Sequence, residues 1–247
     1  MRLDLAALLA DGAAMFRRDR ALLLGVAGLF LFLPRLALLL LVPEPPVPTT
    51  PLEPGSAAAQ ASVTALADWV ATHGVWFVAA FGFGALGTVA LMTLYLDRDE
   101  PDLGAALARA ARLWPRFVLM NLIAAPPVAA GLLLFYLPGL YVMARLLLAG
   151  PALVAERPLG AGAALGRGWS LSRGASLPLT ALMAGTIGVG WLLSQPLLRL
   201  DLWLRAQPGG ANEVALITVD ALAAAVAAAA TLASALFAIA AYRRVGK

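Results

Sequence analysis

Six stretches of mainly apolar residues divide this chain, and their length limits what it can fold into. They cover residues 21–42, 75–96, 117–136, 140–155, 177–198 and 214–242. A run of about 20 apolar residues is what an α-helix needs to cross the hydrocarbon core of a bilayer. Inside that core, every backbone N–H and C=O must be paired within the protein, which favours helices over other structures. The pattern predicts an all-α, polytopic membrane bundle with six transmembrane helices, forming a single integral-membrane domain over residues 1–247.

The composition agrees with this class and narrows the expected partners. Hydrophobic residues make up 62% of the chain and charged residues 13%, whereas soluble domains have about 45–50% and about 25%. The net charge is +4, but the basic residues flank the apolar stretches. We therefore expect membrane lipids, including anionic headgroups, as partners and no nucleic acid.

The distribution of Lys and Arg predicts the orientation. Fourteen of the 18 basic residues lie in the N-terminal segment, in residues 97–116 and 157–173, and in the tail. Arg199 and Arg205 are the two in the opposite loops. By the positive-inside rule, both termini are cytoplasmic. The expected location is the bacterial cytoplasmic (inner) membrane, with the proline-rich residues 43–54 forming an extended outer loop.

Few residue types that carry chemistry are present. The chain has no cysteine and one histidine, His73, which argues against disulfides, thiolate chemistry and a Cys/His metal cluster. A Ser-His-Asp triad would have to use His73, which lies beside Gly74 in a predicted loop. We expect a non-enzymatic protein with no cofactor and no metal.

Residues 82–87 match the G-x-G-x-x-G pattern of dinucleotide sites. That reading needs a preceding strand and a soluble βαβ unit, whereas these glycines lie within an apolar stretch. Small residues in such a stretch let helix backbones approach closely in lipid. We interpret these glycines as packing residues, together with Ala181, Gly185 and Gly188.

Four amphipathic segments flank the spans. Residues 56–72 predict a short helix on the outer side, and three cytoplasmic segments predict interfacial helices. The latter cover residues 1–20, 101–114 and 158–173. Each has a leucine-containing start, an Ala-rich middle and a late arginine. This similarity suggests a threefold parallel repeat over 1–96, 101–157 and 158–247; the alternative is that Ala/Leu/Arg-rich segments resemble one another by composition.

Three charged residues lie within the predicted spans: Arg35, Arg145 and Asp220. An ionised side chain there costs at least about 2.5–3.5 kcal/mol and should face protein or water. Counting residues from the span ends places all three in the outer half of the bilayer. We expect Asp220 to pair with Arg145 or Arg35, either as a structural clamp or as part of a polar pathway for a substrate or proton; the alternative is that these side chains extend to the outer surface.

Further polar residues lie within a span and at the end of another. Asn121, in the third span, is expected to form an interhelical hydrogen bond. At the inner end of the fourth span, a salt-bridged cytoplasmic turn is predicted. Its residues are Glu156, Arg157, Arg167, Trp169 and Arg173.

The segment LPGLYVMARLLLAGPALVAE, followed by AALGRGWSLSRG, resembles the signature of the glycerophosphoryl diester phosphodiesterase membrane-domain family and its YciC-like bacterial relatives. The matching residues are Pro138, Gly139, Tyr141, Arg145, Glu156, Trp169, Leu171, Ser172 and Gly174. Gly168 departs from the pattern, since the family usually has serine before the tryptophan. The resemblance covers about a sixth of the chain closely, and it implies a multi-pass inner-membrane protein without catalytic residues. Some relatives carry a soluble phosphodiesterase domain after the membrane domain; we expect none here.

Together these observations predict an accessory or lipid-associated component of the cytoplasmic membrane. The alternative function is a small-solute or ion transporter or channel that uses the cluster of Arg35, Arg145 and Asp220.

Overall fold

The structure is a computed structural model that describes residues 4–46, 48, 53, 55–97, 102–156, 158–207 and 212–246. Regular structure within these ranges is helical throughout, and six helical segments are long and apolar enough to cross a membrane. These segments are Arg20–Leu41, Ala57–Leu96, Leu103–Phe135, Leu137–Ala155, Ser176–Arg205 and Glu213–Val245. The predicted all-α class and the six spans are confirmed.

The first helix, α1 (Leu5–Arg18), lies outside the spans and corresponds to the predicted interfacial helix of residues 1–20, of which 1–3 are not described. The Asp4 carboxylate accepts the Ala6 N–H at 3.1 Å and caps its N-terminus. Leu8 is fully buried, and Gly12 meets the Phe237 ring so closely that a Cβ would lie 2.7 Å from it. The start of the chain is thereby packed on its last helix.

The first span consists of α2 (Arg20–Ala27), a wide π-helical turn (Gly28–Phe32) and α3 (Leu33–Leu41). Pro34 has no N–H to donate, and its ring disfavours regular helix before it. The Leu33 N–H bonds to the Gly28 carbonyl across the wider turn. The predicted break at Pro34 is therefore a wide turn within a continuous span.

Two predicted surface helices turn out to be extensions of spans. Residues 57–72 belong to the 40-residue helix α4 (Ala57–Leu96), and residues 103–114 to α5 (Leu103–Phe135). The separate helices at 56–72 and 101–114, and the loop at His73, were wrong. An interior glycine such as Gly74 costs only about 1 kcal/mol. Prolines within a span are tolerated because neighbouring groups satisfy the freed carbonyls.

A tight reversal joins α5 to α6 (Leu137–Leu146). Tyr136 alone links the two helices and adopts a φ of 36°. Gly131 and Gly139 permit this approach, since a Cβ on Gly131 would lie 2.7 Å from the Gly139 nitrogen. The fourth span then breaks before α7 (Ala149–Ala155), because Pro151 cannot donate to the carbonyl four residues earlier.

The remaining helices are α8 (Ala161–Leu171), α9 (Ser176–Arg205) and α10 (Glu213–Val245). A face of small residues on α8 packs against α7, and a Cβ on Gly168 would lie 2.6 Å from the Ala149 nitrogen. Helix α9 continues through Arg199, Asp201 and Arg205, which the sequence analysis placed in a loop. An i,i+4 ion pair between Asp201 and Arg205 supports this last turn.

The packing role of the glycine motif is confirmed by the contacts it makes. Gly82 lies against the Trp114 ring and Gly87 against Phe30. By contrast, no atom lies within 4 Å of a Cβ placed on Gly185 or Gly188, so these two glycines do not bring helices together. The threefold repeat stays a prediction: α1 and α8 are separate helices, whereas residues 103–114 are continuous with their span.

Candidate intramembrane sites

Arg145, on α6, is buried to 94% without a carboxylate partner in the described part of the chain. Its Nη2 donates to the backbone carbonyl of Trp169 at 2.8 Å, in the last turn of α8. The guanidinium carbon lies 4.4 Å from the centroid of the Trp169 ring and 5.9 Å from that of Tyr141. Carbonyls at a helix C-terminus and aromatic faces both attract a cation, so they stabilise the guanidinium in place of an anion, while its buried Nε has no hydrogen-bond partner among the described residues.

Ser172 completes the junction between α6 and α8. Its hydroxyl is fully buried and lies 3.1 Å from the Arg145 carbonyl and 3.0 Å from the Trp169 carbonyl. Arg145 and Ser172 thus join the C-terminal end of α8 to α6 through backbone groups that a helix end leaves unpaired. This is a structural clamp, built from different partners than those predicted.

The predicted pairing of Arg145 with Asp220 was wrong. No hydrogen bond or ion pair joins these residues in the regions described, and Arg145 instead contacts the end of α8. The pairing was inferred from depth along the spans, with residues 158–173 expected to lie at the membrane surface, away from Arg145. Because α8 packs back along α7, its last turn reaches Arg145.

Asp220, on α10, is 92% buried and lies elsewhere in the bundle. Asp201, Arg205 and Glu44 lie at the same end of the bundle. Arg205 bonds to the Asp201 carboxylate at 2.9 Å and to Glu44 at 3.2 Å. The acid therefore belongs to a group at the end of the bundle where α9 finishes and α10 begins. The three charged residues named for the transporter alternative, Arg35, Arg145 and Asp220, therefore do not form one cluster among the described residues.

Arg35, near the start of α3, makes none of the predicted contacts. Within the described regions it has no hydrogen bond, ion pair or aromatic contact, and its side chain is exposed on the surface of the protein. It lines a cavity of about 590 Å³ between the first span and helices α4, α5 and α10. The other polar lining residues are Thr88, Asn121 and Thr231.

These three residues bond within their own helices. The Thr88 and Thr231 hydroxyls donate to the carbonyls four residues earlier, and Asn121 donates to the Phe117 carbonyl at 2.8 Å. The interhelical hydrogen bond predicted for Asn121 is therefore absent from the described contacts. An amide has a second N–H donor and an acceptor oxygen, so Asn121 can still form hydrogen bonds with a group in the cavity beside Arg35.

The predicted cytoplasmic turn is present in part. Arg167 forms a two-oxygen ion pair with Glu156 at 2.7 and 2.9 Å, and the Tyr242 hydroxyl donates to the same carboxylate at 2.9 Å. Arg173 is exposed and makes no described contact with Glu156. Arg157 lies outside the described residues. Trp169 serves Arg145 rather than this turn.

The same end of the bundle carries a second set of ion pairs that join the chain termini to α4. Asp19 accepts from Arg18 at 2.9 Å and from the Tyr95 hydroxyl at 2.6 Å, and these donors hold the pKa of its carboxyl below the usual range. Arg244 bonds to Asp11 at 2.7 Å and lowers the pKa of that carboxyl as well. Arg109 of α5 pairs with Asp97 at the end of α4. We call this surface the basic end.

Several contacts of these sites were missed in the sequence analysis. Thr88 and Thr231 gave no signal, because a threonine in an apolar stretch usually bonds to its own helix. Ser172 and Trp169 were available from the resemblance but could not be assigned to Arg145 without knowing the direction of α8. In the regions that the structure describes, no group of three His, Cys, Asp or Glu residues could hold a metal ion.

Comparison of the chain with protein-family models, curated proteins and solved structures finds no match.

Proposed function

We propose that this protein is a non-enzymatic, lipid-associated component of the bacterial cytoplasmic membrane that holds anionic phospholipids at its basic end. The observation that carries the proposal is a set of four exposed arginines on the helices that begin or end near this end, for which the described regions provide no partner. They are Arg17, Arg20, Arg112 and Arg116. Arginine next to an apolar span binds phosphate well because its guanidinium is planar and permanently charged.

Apolar grooves beside the basic end support the proposal. One groove of about 670 Å³ lies between α1, α2 and α10, and a second of about 690 Å³ lies between α9 and α10. Both are lined almost wholly by apolar side chains and share Leu9 and Phe237. Acyl chains can occupy such grooves while their headgroups lie near Arg17 and Arg20 at the end of α1.

The orientation is part of the proposal. The chain termini lie together at the basic end, as the Asp11–Arg244 pair requires. The sequence segments on this side of the six spans contain 14 of the 18 Lys and Arg residues, so the positive-inside rule assigns this end to the cytoplasm.

We also propose membership of the glycerophosphoryl diester phosphodiesterase membrane-domain family. The two halves of the resembling segment contact each other: Arg145 bonds to the Trp169 carbonyl, and Ser172 bonds to the Arg145 carbonyl. A signature whose separated residues form one junction is easier to explain by a shared fold than by similar composition.

Native mass spectrometry of the purified protein tests the lipid proposal. The variant Arg17→Gln/Arg20→Gln/Arg112→Gln/Arg116→Gln should retain fewer phosphatidylglycerol molecules than the wild type. Arg199→Gln is the matched control, since Arg199 is also exposed and without a described partner but lies towards the opposite end of the bundle. Equal retention by all three proteins would contradict the proposal.

Reconstitution into liposomes separates this function from transport. We expect no protein-dependent flux of small ions or solutes. Flux that disappears in Arg35→Gln would support the transporter instead.

A further inference from the structure

Arg35 has an environment that neither the fold nor the basic end explains. It is the third residue of α3 and lies six residues before the end of that helix at Leu41, which is about 9 Å at 1.5 Å per residue. A cation within a span is costly unless it finds a partner or reaches the surface. Arg145 has such partners, whereas the described residues offer none to Arg35.

The cavity that Arg35 lines has one charged residue and three polar residues in a mainly apolar wall. Its approximate volume is 590 Å³, and Thr88, Asn121 and Thr231 add hydroxyl and amide groups. None of the residues that line it is acidic. The chemistry of the cavity therefore selects a group with a negative charge that can also accept and donate hydrogen bonds.

An apolar groove adjoins this cavity along the same helix. The groove has a volume of about 490 Å³ and lies between the first span and α4. The two share Pro34, Leu38 and Ala80 in their walls. A mainly apolar cavity with one cation, beside an apolar groove within a membrane span, matches a molecule with an anionic headgroup and a hydrocarbon chain.

We propose that Arg35 binds the phosphodiester headgroup of a single anionic phospholipid, with an acyl chain in the adjoining groove. The guanidinium can donate two parallel hydrogen bonds to phosphate oxygens. This site is separate from the basic end, so either proposal can fail while the other stands.

The wide π-helical turn contributes to the placement of the site. It ends at Phe32, just before Pro34 and Arg35, and its Phe30 packs against Gly87 of α4. Gly87 therefore lets the turn approach α4, and the same two elements carry Arg35 and Thr88 into one cavity. Single π-helical turns inside helices are found frequently at functional sites.

Lipid titration of purified protein tests the proposal. The proteins are the wild type, Arg35→Gln, Arg35→Lys and the control Arg199→Gln, in non-ionic detergent. The added probes are phosphatidylglycerol, phosphatidylcholine, oleate and inorganic phosphate, each tested alone. Bound molecules are counted by native mass spectrometry, and the shift of the melting temperature is measured in parallel. Because Arg35 is exposed and has no described partner, Arg35→Gln should fold, which gel filtration and circular dichroism verify.

We expect the wild type and Arg199→Gln to retain the same number of phosphatidylglycerol molecules, and Arg35→Gln to retain one fewer, because its affinity at this one site falls about tenfold while the basic end is unchanged. Arg35→Lys should be intermediate, because it keeps the charge but loses the two-bond geometry. Phosphatidylcholine should bind less well than phosphatidylglycerol, since no acid in the cavity wall receives its choline. The proposal is overturned if phosphatidylglycerol binds Arg35→Gln as well as the wild type, or if only oleate or inorganic phosphate depends on Arg35.

A photoreactive phosphatidylglycerol with its reactive group in the acyl chain locates the site. Labelled peptides should come from residues 29–42 or 76–83, and labelling there should fall in Arg35→Gln. Labelling confined to α1 and α10 would assign the lipid to the basic end alone and would overturn the proposal.

Discussion

Arg145 and Arg35 both lie within apolar spans, yet their burial and their contacts in the fold are opposite. Arg145 is buried, with a backbone carbonyl at 2.8 Å and an aromatic ring at 4.4 Å. Arg35 is exposed and faces a cavity without a described protein partner. The difference shows that a membrane arginine need not pair with a carboxylate, because the end of another helix can provide the acceptors. It also separates a residue that stabilises the fold from one that is available to a ligand.

The largest difference in stability is expected between the replacements of these two arginines. Arg145→Leu removes a charge-assisted hydrogen bond and a cation–π contact, and we expect a loss of about 3 kcal/mol in the free energy of unfolding. Arg35→Leu should be neutral or stabilising in detergent, because it removes an unpaired charge. Chemical unfolding followed by tryptophan fluorescence measures both. Equal losses for the two variants would remove the distinction between them.

The contact that brings α8 to Arg145 should be the next most sensitive. Gly168→Ala places a Cβ 2.6 Å from the Ala149 nitrogen, so α8 must shift away from α7, at a cost of about 1–3 kcal/mol. Gly166→Ala on the same helix meets no atom within 4 Å and should be neutral or stabilising, since alanine favours helix. Melting temperatures of the two variants in detergent give the comparison. A stable Gly168→Ala protein would mean that α8 is not packed as described.

Ser172 should contribute less than either. Ser172→Ala removes the buried hydroxyl that contacts the carbonyls of Arg145 and Trp169, and a hydrogen bond is worth about 1 kcal/mol. Ser170→Ala is the matched control, because its hydroxyl bonds only to the Arg167 carbonyl of its own helix. In the same unfolding assay, Ser172→Ala should have a clearly lower free energy of unfolding than Ser170→Ala. If the order is reversed, the hydroxyl plays no part in the junction.

The smallest effect on stability is expected from a change of pH at the basic end, where neither Arg145 nor Arg35 lies. The Asp19 carboxyl has a pKa lowered by Arg18 and by the Tyr95 hydroxyl. Its stabilising contribution is present above the unfolded value of about 3.9 and is lost as the pH falls through the lower folded value. We expect less than about 1 kcal/mol, since the pair is partly solvated. Unfolding between pH 2 and 6 should be less pH-dependent in Asp19→Asn; an unchanged profile would contradict this assignment.

The sequence was sufficient for the elements but not for the contacts between them. Apolar stretches of bilayer length identified six spans, and Pro138 with Gly139 marked the reversal before α6. A loop was predicted at His73 and the fifth span was predicted to end before Arg199, but α4 and α9 continue through these positions, because a single glycine or charge does not end a helix whose hydrogen bonds continue. The partner of Arg145 depended on the direction of α8, which follows from the packing of Gly168 on Ala149 rather than from any local pattern. Asp220 was assigned by depth alone, and depth does not say which helices are neighbours.

A double-mutant cycle on Arg145 tests most directly whether the end of α8, rather than an acid, holds this arginine. The free energy of unfolding is measured for Arg145→Leu, Trp169→Leu and Asp220→Ala, and for Arg145→Leu combined with each of the other two. The structure predicts a coupling energy of about 0.5–3 kcal/mol between Arg145 and Trp169, and additivity between Arg145 and Asp220. Coupling to Asp220 without coupling to Trp169 would contradict the account.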